Sequence, residues 1–538
     1  MNQTIDNLPN AVFLGDQTRA LDRITIQEYG IPGFELMSKA ARFTFHSLVK
    51  KWPEARHLII LCGAGNNAGD GYVVARLAAT RGYKVECIAL SDPAELKNDA
   101  ALAVQSCNDT SVVITHYERG AFARIIDSAT PSKGFVLVDA LLGTGLSREV
   151  LGSYREVITI ANKAHASGLP VLAIDIPSGL DTDTGLTHGV AIEADMTATF
   201  IGNKLGLMTG KGRHHCGEIV FSKLEIPEDV YRQVPPNIYS PTLSKQLSKL
   251  PSRAAFSHKG NNGRALLIGG TYGFAGAILI AAQACARVGA GLTSVITHPE
   301  HCLALIQTQP EVMAHTETSP FANDLFAQAN VIAIGPGLGQ DIWAYRLLEK
   351  ALRIDSFLVL DADALNLVAK HEALKTLIGK NTLLTPHPGE AARLLNRSVK
   401  EIESDRLASV RALQQRFGCH VLLKGSGTLV AHPSLSASTK QDDQSQEKPR
   451  VMLCRYGNPG MASGGMGDAL TGIIAGLIAQ FHHGVDDEQP TIDEVIELAV
   501  NLHAAAADQQ VLAKGMRGCL ASDLHISARA LLNKETLA

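Results

Sequence analysis

The chain contains 538 residues, of which 46% are hydrophobic and 19% charged, and its formal net charge is −4. This length exceeds the size at which one hydrophobic core continues to grow, so it predicts two large domains. The composition is typical of globular proteins, and the nearly balanced charge argues against a nucleic-acid-binding protein and predicts small-molecule ligands.

The nine cysteines show no Cys-x-x-Cys pair and no regular spacing. Their distribution argues against a disulfide framework or a cysteine-based zinc site and favours a reducing compartment. The amino terminus, MNQTIDNLPNAVFLGD, lacks the basic start and the apolar run of a secretory signal. No apolar stretch is both long enough and free enough of charge to cross a bilayer, and the nearest, AGAILIAAQACARVGAG, is interrupted by Arg287. The sequence therefore predicts a cytoplasmic protein that binds no membrane.

Short Val-, Ile- and Leu-rich runs alternate with helical patterns over residues 57–201. The strand-like runs include HLIILCG, KVECIAL, VVITH, GFVLVDALLG and PVLAIDIPSG, and a helix is predicted from Tyr72. Runs that are continuously apolar predict strands covered on both faces, as in a parallel sheet wrapped by helices. We therefore predict a Rossmann-like, doubly wound α/β domain within residues 1–230.

Residues 231–250 lie in a proline-rich stretch without periodicity and are predicted to form a linker. The α/β rhythm restarts in residues 251–538 and includes a long apolar helix from Gly467. The glycine motifs of the two halves differ, so the second α/β domain is not a repeat of the first. A polar insert near residues 435–449 is predicted to be an exposed hairpin loop without chemistry of its own.

The stretch ILCGAGNNAGDGYVVARLA in the first domain has the form of a dinucleotide-binding turn, in which a strand leads through glycines into a helix. Gly63, Gly65 and Ala68 satisfy a loose G-x-G-x-x-G/A pattern. Glu86 stands where a ribose-binding acid is expected. Such turns occur in many α/β proteins, so this pattern alone does not predict a dehydrogenase.

Polar residues follow the ends of three predicted strands in this domain, namely Asn67, Asp139, Asp175 and Ser178. The carboxyl ends of parallel strands converge on one crevice, so we expect these side chains to meet. Their oxygens suit a hard cation, which neutralises acids and lets phosphates lie alongside. Each residue alone is equally well explained as a turn or helix-cap residue. That alternative does not account for all three loops together.

GAGNNAGDG, VDALLGTGL and AIDIPSGLD resemble the three signatures of NAD(P)H-hydrate epimerases, and the resemblance covers essentially the whole first domain. The family usually has glycine where this chain has Ala68. The resemblance implies inversion at the ring carbon that carries a misplaced hydroxyl in hydrated NADH or NADPH. It also implies a potassium ion, held by Asn67, Asp139 and Ser178. The substrate-binding residues that it implies are Asn66, Asn67, Ala68, Gly69, Asp70, Gly143, Thr144, Gly145, Leu146, Ser147, Arg148, Glu149 and Asp175.

Asp175 is our candidate for the proton-transferring group, because a carboxylate in a partly desolvated crevice can have its pKa raised toward the working pH. The resemblance itself does not identify that group.

In the second domain, the stretch GNPGMASGGMGDALTGIIAGLIAQ places glycines before a long apolar helix. Backbone N–H groups of such a turn form an anion hole, and Asp468 stands in the first turn of the helix. Gly464, Gly465, Gly467 and Asp468 thus supply the donors and the base that phosphoryl transfer requires. Simple helix capping by Gly467 and Asp468 is the alternative, and the density of glycines argues against it.

This stretch resembles the G-x-G-D anion hole of the ribokinase-like superfamily, whose fold is an α/β/α sandwich. The closer resemblance is to ADP-dependent NAD(P)H-hydrate dehydratases, through SHKGNNGRALLIGGTYGFAGA, IGPGLG, DADALN, TPHPGEAARLL, LLKGSGT and GNPGMASGGMGD. It implies that ADP phosphorylates the stray hydroxyl, after which phosphate leaves and AMP is the second product. Mg²⁺ is expected with the nucleotide.

The same resemblance implies two groups of binding residues. Those implied for the hydrated dinucleotide are Ala277, Gly337, His387 and Asp468. Those implied for ADP are Lys424, Gly425, Ser426, Gly427, Thr428 and Gly467. Without the resemblance, His387 would be assigned a structural role.

Two alternatives stay open at the level of sequence. The second domain could be a small-molecule kinase of the vitamin-precursor type, fused to a dinucleotide-binding module. The first domain could be a binding module without catalysis, although its intact Asp139, Asp175 and Ser178 argue against that. No residue distinguishes NADH from NADPH hydrates or ADP from ATP, and a homo-oligomer is a further expectation.

Overall fold

The computed structural model describes residues 3–130, 133–433, 450–481 and 489–533. The chain forms two compact units, and the boundary between them falls between Ile238 and Tyr239, inside the segment predicted to be a linker. That segment has some regular structure, because a short helix occupies Leu243–Leu247. Leu243 is fully buried in the core of the second unit. The predicted polar hairpin near residues 435–449 lies outside the described residues.

The first unit is built on a seven-stranded parallel sheet. The strands of this unit are β1 (Ala11–Val12), β2 (His57–Cys62), β3 (Lys84–Ala89), β4 (Val113–His116), β5 (Phe135–Ala140), β6 (Val171–Ile174), β7 (Met196–Phe200) and β8 (Glu218–Ser222). Strands β2–β8 form this sheet, in the order β4-β3-β2-β5-β6-β7-β8, and β1 is not part of it. The strand order therefore reverses between β2 and β5, which confirms the predicted doubly wound fold.

Helices cover both faces of this sheet. Alternate residues of a strand therefore pack into two different apolar clusters, one on each face. Leu58 and Ile60 pack in one apolar cluster, and Ile59 and Leu61 pack in another. The helices are α1 (Gln3–Asp6), α2 (Gly15–Gln27), α3 (Gly33–Lys51), α4 (Asn66–Ala79), α5 (Asn98–Gln105), α6 (Arg119–Ser128), α7 (Gly152–Ala166), α8 (Leu205–Met208), α9 (Gly212–His215) and α10 (Glu228–Gln233), with a 3₁₀ turn at Pro93–Glu95. The two-residue side-chain period of a strand thus explains its continuously apolar sequence.

Helix α4 begins at Asn66 and not at Tyr72, where the sequence predicted its start. Its glycines weaken the helical signal in the sequence, but they serve packing. A Cβ on Gly69 would lie 2.6 Å from the terminal methyl of Met37, and one on Gly71 would lie 2.6 Å from Ala140 Cβ. Close approach of α4 to α3 and β5 therefore requires the glycines that obscured the first turns.

The second unit contains a larger, mixed sheet. Strand β9 (Ile238–Tyr239) lies at the boundary between the units. The strands that follow it are β10 (Arg264–Ile268), β11 (Leu292–Ile296), β12 (Met313–His315), β13 (Val331–Ile334), β14 (Phe357–Leu360), β15 (Thr382–Leu384), β16 (His420–Leu423), β17 (Leu429–Ala431) and β18 (Val451–Leu453). Strands β10–β18 are ordered β18-β17-β16-β15-β14-β13-β10-β11-β12. Only the β16–β17 and β17–β18 pairs are antiparallel among them.

Helices also cover both faces of the second sheet, as in an α/β/α sandwich. They are α11 (Leu243–Leu247), α12 (Ala275–Arg287), α13 (Cys302–Thr308), α14 (Ala322–Gln328), α15 (Ile342–Leu352), α16 (Ala362–Lys370), α17 (Glu372–Lys375), α18 (Pro388–Leu395), α19 (Val399–Ser404), α20 (Arg406–Phe417), α21 (Met466–Phe481), α22 (Ile492–Lys514) and α23 (Ala521–Leu532). Leu267 and Val359 pack against α12 and α21, and the alternating Leu266 and Leu358 are also buried. The predicted α/β architecture is therefore confirmed in both units.

All nine cysteines are free thiols, as their irregular spacing predicted. Over the described ranges, no helix combines the length and the apolar character that crossing a bilayer requires.

Candidate active sites

A cavity of about 1040 Å³ lies in the first unit, at the carboxyl ends of β2, β5 and β6. This edge includes the point where the strand order reverses, which is where open α/β sheets bind their ligands. The predicted substrate-binding residues that line the cavity are Asn66, Asn67, Asp70, Gly143, Thr144, Gly145, Leu146, Ser147, Arg148, Glu149 and Asp175. The remaining two, Ala68 and Gly69, are buried in α4 and do not line it.

The three residues predicted to hold potassium belong to one hydrogen-bonded network at the edge of this cavity. Asp139 accepts hydrogen bonds from the Oγ of Ser178 at 2.6 Å and from its backbone N–H at 2.7 Å. Leu142 donates its N–H to Ser178 Oγ at 2.8 Å and accepts from Asn67 Nδ2 at 3.0 Å. The structure therefore brings the loops that follow β2, β5 and β6 together.

Two features of this network favour a cation. The Oδ1 atom of Asn67 is buried and has no hydrogen-bond partner. Burial raises the pKa of Asp139 to about 6, although its hydrogen bonds with Ser178 and Leu141 oppose that shift. An amide oxygen without a hydrogen-bond partner and a buried carboxylate in the same network are oxygen ligands that suit an alkali cation. The residues present therefore fit the predicted potassium ion.

A second cluster in this crevice pairs Asp175 with Lys204, a residue that the sequence analysis missed. Lys204 Nζ lies 2.5 Å from Asp175 Oδ1 and also donates to Thr199 Oγ1 at 2.8 Å. Its side chain is fully buried, and the carbonyl oxygens of Phe200 and Gly202 lie 3.3 Å from the same nitrogen. Lys204 is therefore satisfied by the protein and fixes the orientation of Asp175.

The backbone at Asp175 is left-handed, with φ of 65°. This conformation is uncommon outside glycine and costs on the order of 1 kcal/mol, so it persists only where the surroundings enforce it. Asp175 donates its backbone N–H to Ala198 at 2.7 Å. Together with the Lys204 contact, this bond holds the carboxylate at the cavity wall.

Two further acids, Asp22 and Asp70, line the same cavity. Burial, followed by the negative charge of Asp175, raises the pKa of Asp22 to about 7. The same two causes, with Asp22 as a third, raise the pKa of Asp70 well above its usual range. A raised pKa favours the neutral form of Asp70, and a neutral carboxyl group repels a phosphate less than a carboxylate does. The crevice thus contains groups able to hold a proton near neutral pH.

The site of the second unit is centred on Asp361, which sequence analysis quoted within DADALN without assigning it a role. Asp361 is 1% exposed and accepts hydrogen bonds from Lys424 Nζ at 2.6 Å, Thr385 Oγ1 at 2.8 Å and Thr471 Oγ1 at 2.8 Å. Although burial opposes it, the charge of Lys424 holds the pKa of Asp361 below its usual range. Asp361 is therefore an ionised anchor for Lys424.

Lys424 is shared among several acids. Its Nζ lies 4.0 Å from Glu390, and Asp468 adds to the field that raises the pKa of Lys424 against the effect of burial. Burial raises the pKa of Glu390 to about 7 and that of Asp468 to about 6. One lysine thus faces three carboxyl groups, an excess of acid that a divalent cation would balance.

The structure brings several predicted dehydratase residues together. A Cβ on Gly467 would lie 3.3 Å from Lys424 Nζ and 3.7 Å from Asp361, so the start of α21 faces this ion pair. Asp468 follows in the first turn of α21, as predicted. Gly337 and Ala277 are also neighbours, because a Cβ on Gly337 would lie 3.2 Å from that of Ala277.

The other predicted residues lie on loops at the same sheet edge. His387 caps α18, and its Nδ1 accepts the N–H of Gly389 at 2.9 Å, while burial and the charge of Lys424 lower its pKa. The nucleotide loop after β16 contains Lys424, Gly425, Ser426, Gly427 and Thr428. Arg406 supports this loop, because its guanidinium donates to the carbonyl oxygens of Leu423 at 3.3 Å and Lys424 at 3.1 Å.

Sequence signals for the missed residues differ. Asp361 directly follows β14, so strand position could have identified it, whereas Glu390 lies in the first turn of α18, six residues after β15 ends. Lys204 follows β7 within four residues and offered the same signal. Asp22 and Arg406 lie on helices far along the chain from the loops they face, and nothing local in the sequence distinguishes them.

These features define a two-domain α/β protein, in which one unit has a crevice lined by acids of raised pKa and the other has acids grouped around a lysine near the start of a glycine-preceded helix. Comparison with protein families agrees with that class. Residues 33–206 match the YjeF-related protein N-terminus, and residues 265–528 match the NAD(P)H-hydrate dehydratase family.

Close relatives span nearly the whole chain. The bifunctional NAD(P)H-hydrate repair enzyme of Coxiella burnetii is 40% identical over 97% of this chain and 99% of its own length. The enzyme of the same name from Escherichia coli is 39% identical over 98% of this chain and 95% of its own length. A crystal structure of the ADP/ATP-dependent NAD(P)H-hydrate dehydratase from Bacillus subtilis is 26% identical, with a TM-score of 0.44, and covers 55% of this chain and 97% of that chain. This chain therefore belongs to the family of bifunctional NAD(P)H-hydrate repair enzymes.

Proposed function

We propose that the first unit interconverts the R and S hydrates of NADH and NADPH, and that the second dehydrates the S hydrate at the expense of ADP. The observation that supports this most directly is the pairing of two unlike sites at the carboxyl edges of two sheets. We assign epimerisation to residues 1–230, dehydration to residues 251–538 and the intervening 231–250 to a linker. A cytoplasmic location and a homo-oligomer complete the proposal.

In the epimerase crevice, the loops after β2 and β5 contact the dinucleotide, and Asp175 exchanges a proton with the damaged nicotinamide ring. Lys204 keeps Asp175 in position. Asn67, Asp139 and Ser178 would hold potassium, which would supply positive charge to offset that of the phosphates. Asp22 and Asp70 provide further proton-holding groups next to the reacting ring.

In the dehydratase site, Asp468 accepts the proton of the stray hydroxyl while that oxygen attacks the β-phosphorus of ADP, the bond to the bridging oxygen breaks and AMP leaves. The N–H groups at the start of α21 and the Lys424 ammonium stabilise the charge on the transferred phosphoryl group. The phosphate then leaves, with loss of a proton from the ring, and the nicotinamide double bond is restored. Phosphorylation serves the elimination because phosphate is a far better leaving group than hydroxide.

Mg²⁺ would fit this second site, because three carboxyl groups, those of Asp361, Glu390 and Asp468, face a single lysine. Proteins hold Mg²⁺ through one or two carboxylates together with substrate phosphates. When bound, it neutralises phosphate charge. Ala277, Gly337 and His387 contact the hydrated dinucleotide, and Lys424, Gly425, Ser426, Gly427, Thr428 and Gly467 contact ADP.

Both activities in one chain match the chemistry of the damage. Spontaneous hydration gives both epimers at the ring carbon, and a phosphorylating site shaped for one hand rejects the other. An epimerase beside a stereospecific dehydratase consumes both forms.

A coupled assay tests the proposal against the kinase alternative. The full chain is incubated with ADP, Mg²⁺ and mixed NADPH hydrates, and absorbance of the reduced nicotinamide is followed. We expect full recovery of NADPH with stoichiometric AMP and phosphate. A stable phosphorylated product without recovered NADPH would instead assign the second unit to the kinases. The same assay with ATP in place of ADP shows the donor preference.

A further inference from the structure

A cluster of metal-ligating side chains lies in the second unit and has no part in either proposed reaction. His420 is the first residue of β16, and His432 directly follows β17. The antiparallel register pairs Val421 with Ala431, so the two histidines lie opposite each other across the hairpin. Asp493, in the first turn of α22, completes the group.

The three ligand atoms form a compact triangle. The Nδ1 atoms of His420 and His432 are 3.0 Å apart. Asp493 Oδ1 lies 3.2 Å from His432 Nδ1 and 3.4 Å from His420 Nδ1. Zinc bonds of about 2.0–2.2 Å to nitrogen and oxygen place the ligand atoms of a tetrahedral ion about 3.3 Å apart. The triangle therefore has the dimensions of one face of a zinc coordination tetrahedron.

The outer partner of His432 decides which of its ring nitrogens can bind a cation. His432 Nε2 lies 3.1 Å from Glu497 Oε1, an oxygen that also accepts the hydroxyl of Tyr239. Glu497 therefore engages Nε2, and Nδ1 is the ring nitrogen that faces Asp493 and is placed to bind a cation. A carboxylate behind a histidine ligand is also the usual outer shell of a metal site.

We propose that His420, His432 and Asp493 bind a Zn²⁺ ion that links the β16–β17 hairpin to α22. Both histidines are buried, whereas 40% of the Asp493 side chain is exposed. Water therefore has access to the fourth position, and a chelator can remove the ion. Two imidazoles and a carboxylate form a borderline ligand set that Zn²⁺ prefers over Mg²⁺ or Ca²⁺.

The ion serves structure and not phosphoryl transfer. His420 begins β16, whereas Lys424 follows the other end of the same strand. A strand of this length spans about 13 Å, so the zinc site lies at the edge of the sheet opposite the ion pair of Asp361 and Lys424. Zinc therefore raises thermal stability and leaves the Mg²⁺-dependent reaction unchanged.

The test uses the full chain, stripped with a chelator, loaded with ZnCl₂ and dialysed. Elemental analysis should find one zinc per chain. His432→Asn or Asp493→Asn should abolish zinc retention. Glu497→Gln should weaken zinc binding about tenfold, because it removes the carboxylate behind His432. His525→Asn is the control, because His525 is a buried histidine of the same unit outside the cluster. Zinc at 100 times its dissociation constant should raise the melting temperature by about 5 °C.

Equal zinc retention in wild type and the His432 and Asp493 variants, or no retention in wild type, would overturn the proposal. If those variants do not fold, the proposal is tested instead by the absorption spectrum of Co²⁺ bound to the wild type. We expect the intense visible absorption of four-coordinate Co²⁺, displaced by one equivalent of Zn²⁺. A six-coordinate spectrum, or displacement only by excess Zn²⁺, would contradict the proposal.

Discussion

Both proposed sites place an aspartate against a lysine just beyond the end of a buried strand, yet the two lysines differ in what they can do. Lys204 contacts Asp175, Thr199 and two carbonyl oxygens and is fully buried. Lys424 is followed by Gly425 and Gly427, and this lysine makes one short contact, with Asp361. An ammonium group has three donors, so Lys424 retains capacity for a phosphate and Lys204 does not.

Both lysines are paired with an aspartate, so that pairing does not distinguish their roles. We infer the positioning role of Lys204 and the ligand-binding role of Lys424 from the number of other oxygen atoms that each ammonium group contacts. The aspartates differ correspondingly. Asp175 lines its cavity, whereas Asp361 is enclosed, and our proposal therefore assigns the reactive role in the second unit to Asp468, which interacts electrostatically with Asp361.

The largest expected effect separates the two activities. Asp468→Asn should reduce dehydration about 10³-fold, because it removes the general base, and leave epimerisation within about twofold. Both rates are measured on the full chain with mixed NADPH hydrates. Asp324→Asn is the matched control, since Asp324 is also an acid in the first turn of a helix of this unit. Loss of epimerisation as well would show that the sites are not chemically independent.

The positioning role of Lys204 predicts an effect on stability. Lys204→Met should destabilise the first unit by about 3 kcal/mol at pH 8, because three acids lose their nearby cation. Since Lys204 lowers the raised pKa values of Asp22 and Asp70, its removal favours their protonation. The penalty should therefore shrink as the pH falls toward 4, which is measured by denaturant unfolding.

The control for that experiment is Lys51→Met, which removes a more exposed ion pair with Glu218. It should cost no more than about 1 kcal/mol. An equal penalty for the two variants, or a Lys204→Met penalty independent of pH, would contradict the role assigned to Lys204.

Substitution of Asp175 tests its proposed role as the acid/base group of the first unit. Asp175→Asn should lower epimerisation by about 100-fold and leave dehydration of the S hydrate unchanged, because the amide cannot exchange the proton. Epimer exchange is followed by chromatography, with Asp195→Asn as a control acid of the same unit. An epimerisation rate within about threefold of wild type would exclude Asp175 as the acid/base group.

The smallest effect is a pH dependence. With a pKa of about 6, Asp468 is ionised and active as a base above that pH. The single-turnover dehydration rate should therefore fall about tenfold per pH unit below pH 6 and level off above pH 7. A rate that stays constant down to pH 5 would show that Asp468 is not the group that accepts the proton.

Much of this organisation follows from local sequence. Continuous apolar runs predicted the parallel sheets, because residues facing both covered sides of a strand must be apolar. The glycine turns before α4 and α21 indicated where ligands would lie, since ligands bind beyond the carboxyl ends of strands. Resemblance to known families then supplied the chemistry that the fold alone does not define.

The remainder depends on contacts between distant parts of the chain. Asp22 lies on α2 in a pattern typical of an amphipathic helix, and only the fold brings it to Asp70 and Asp175. The start of α4 was placed too late, because its glycines were read as a turn although they allow close helix packing. His420 and His432 are twelve positions apart and showed no metal-binding spacing until the antiparallel hairpin placed them opposite each other.

The most direct test of the central claim, that two independent sites act in turn on one damaged coenzyme, is a mixing experiment. Asp468→Asn and Asp175→Asn proteins are incubated separately and together with mixed NADPH hydrates, ADP and Mg²⁺. Alone, the first should restore almost no NADPH, and the second should rapidly restore only the fraction present as the S hydrate. The mixture should repair both epimers, because the epimerised hydrate diffuses from one protein to the other. A mixture that repairs no more than Asp175→Asn alone would contradict the account.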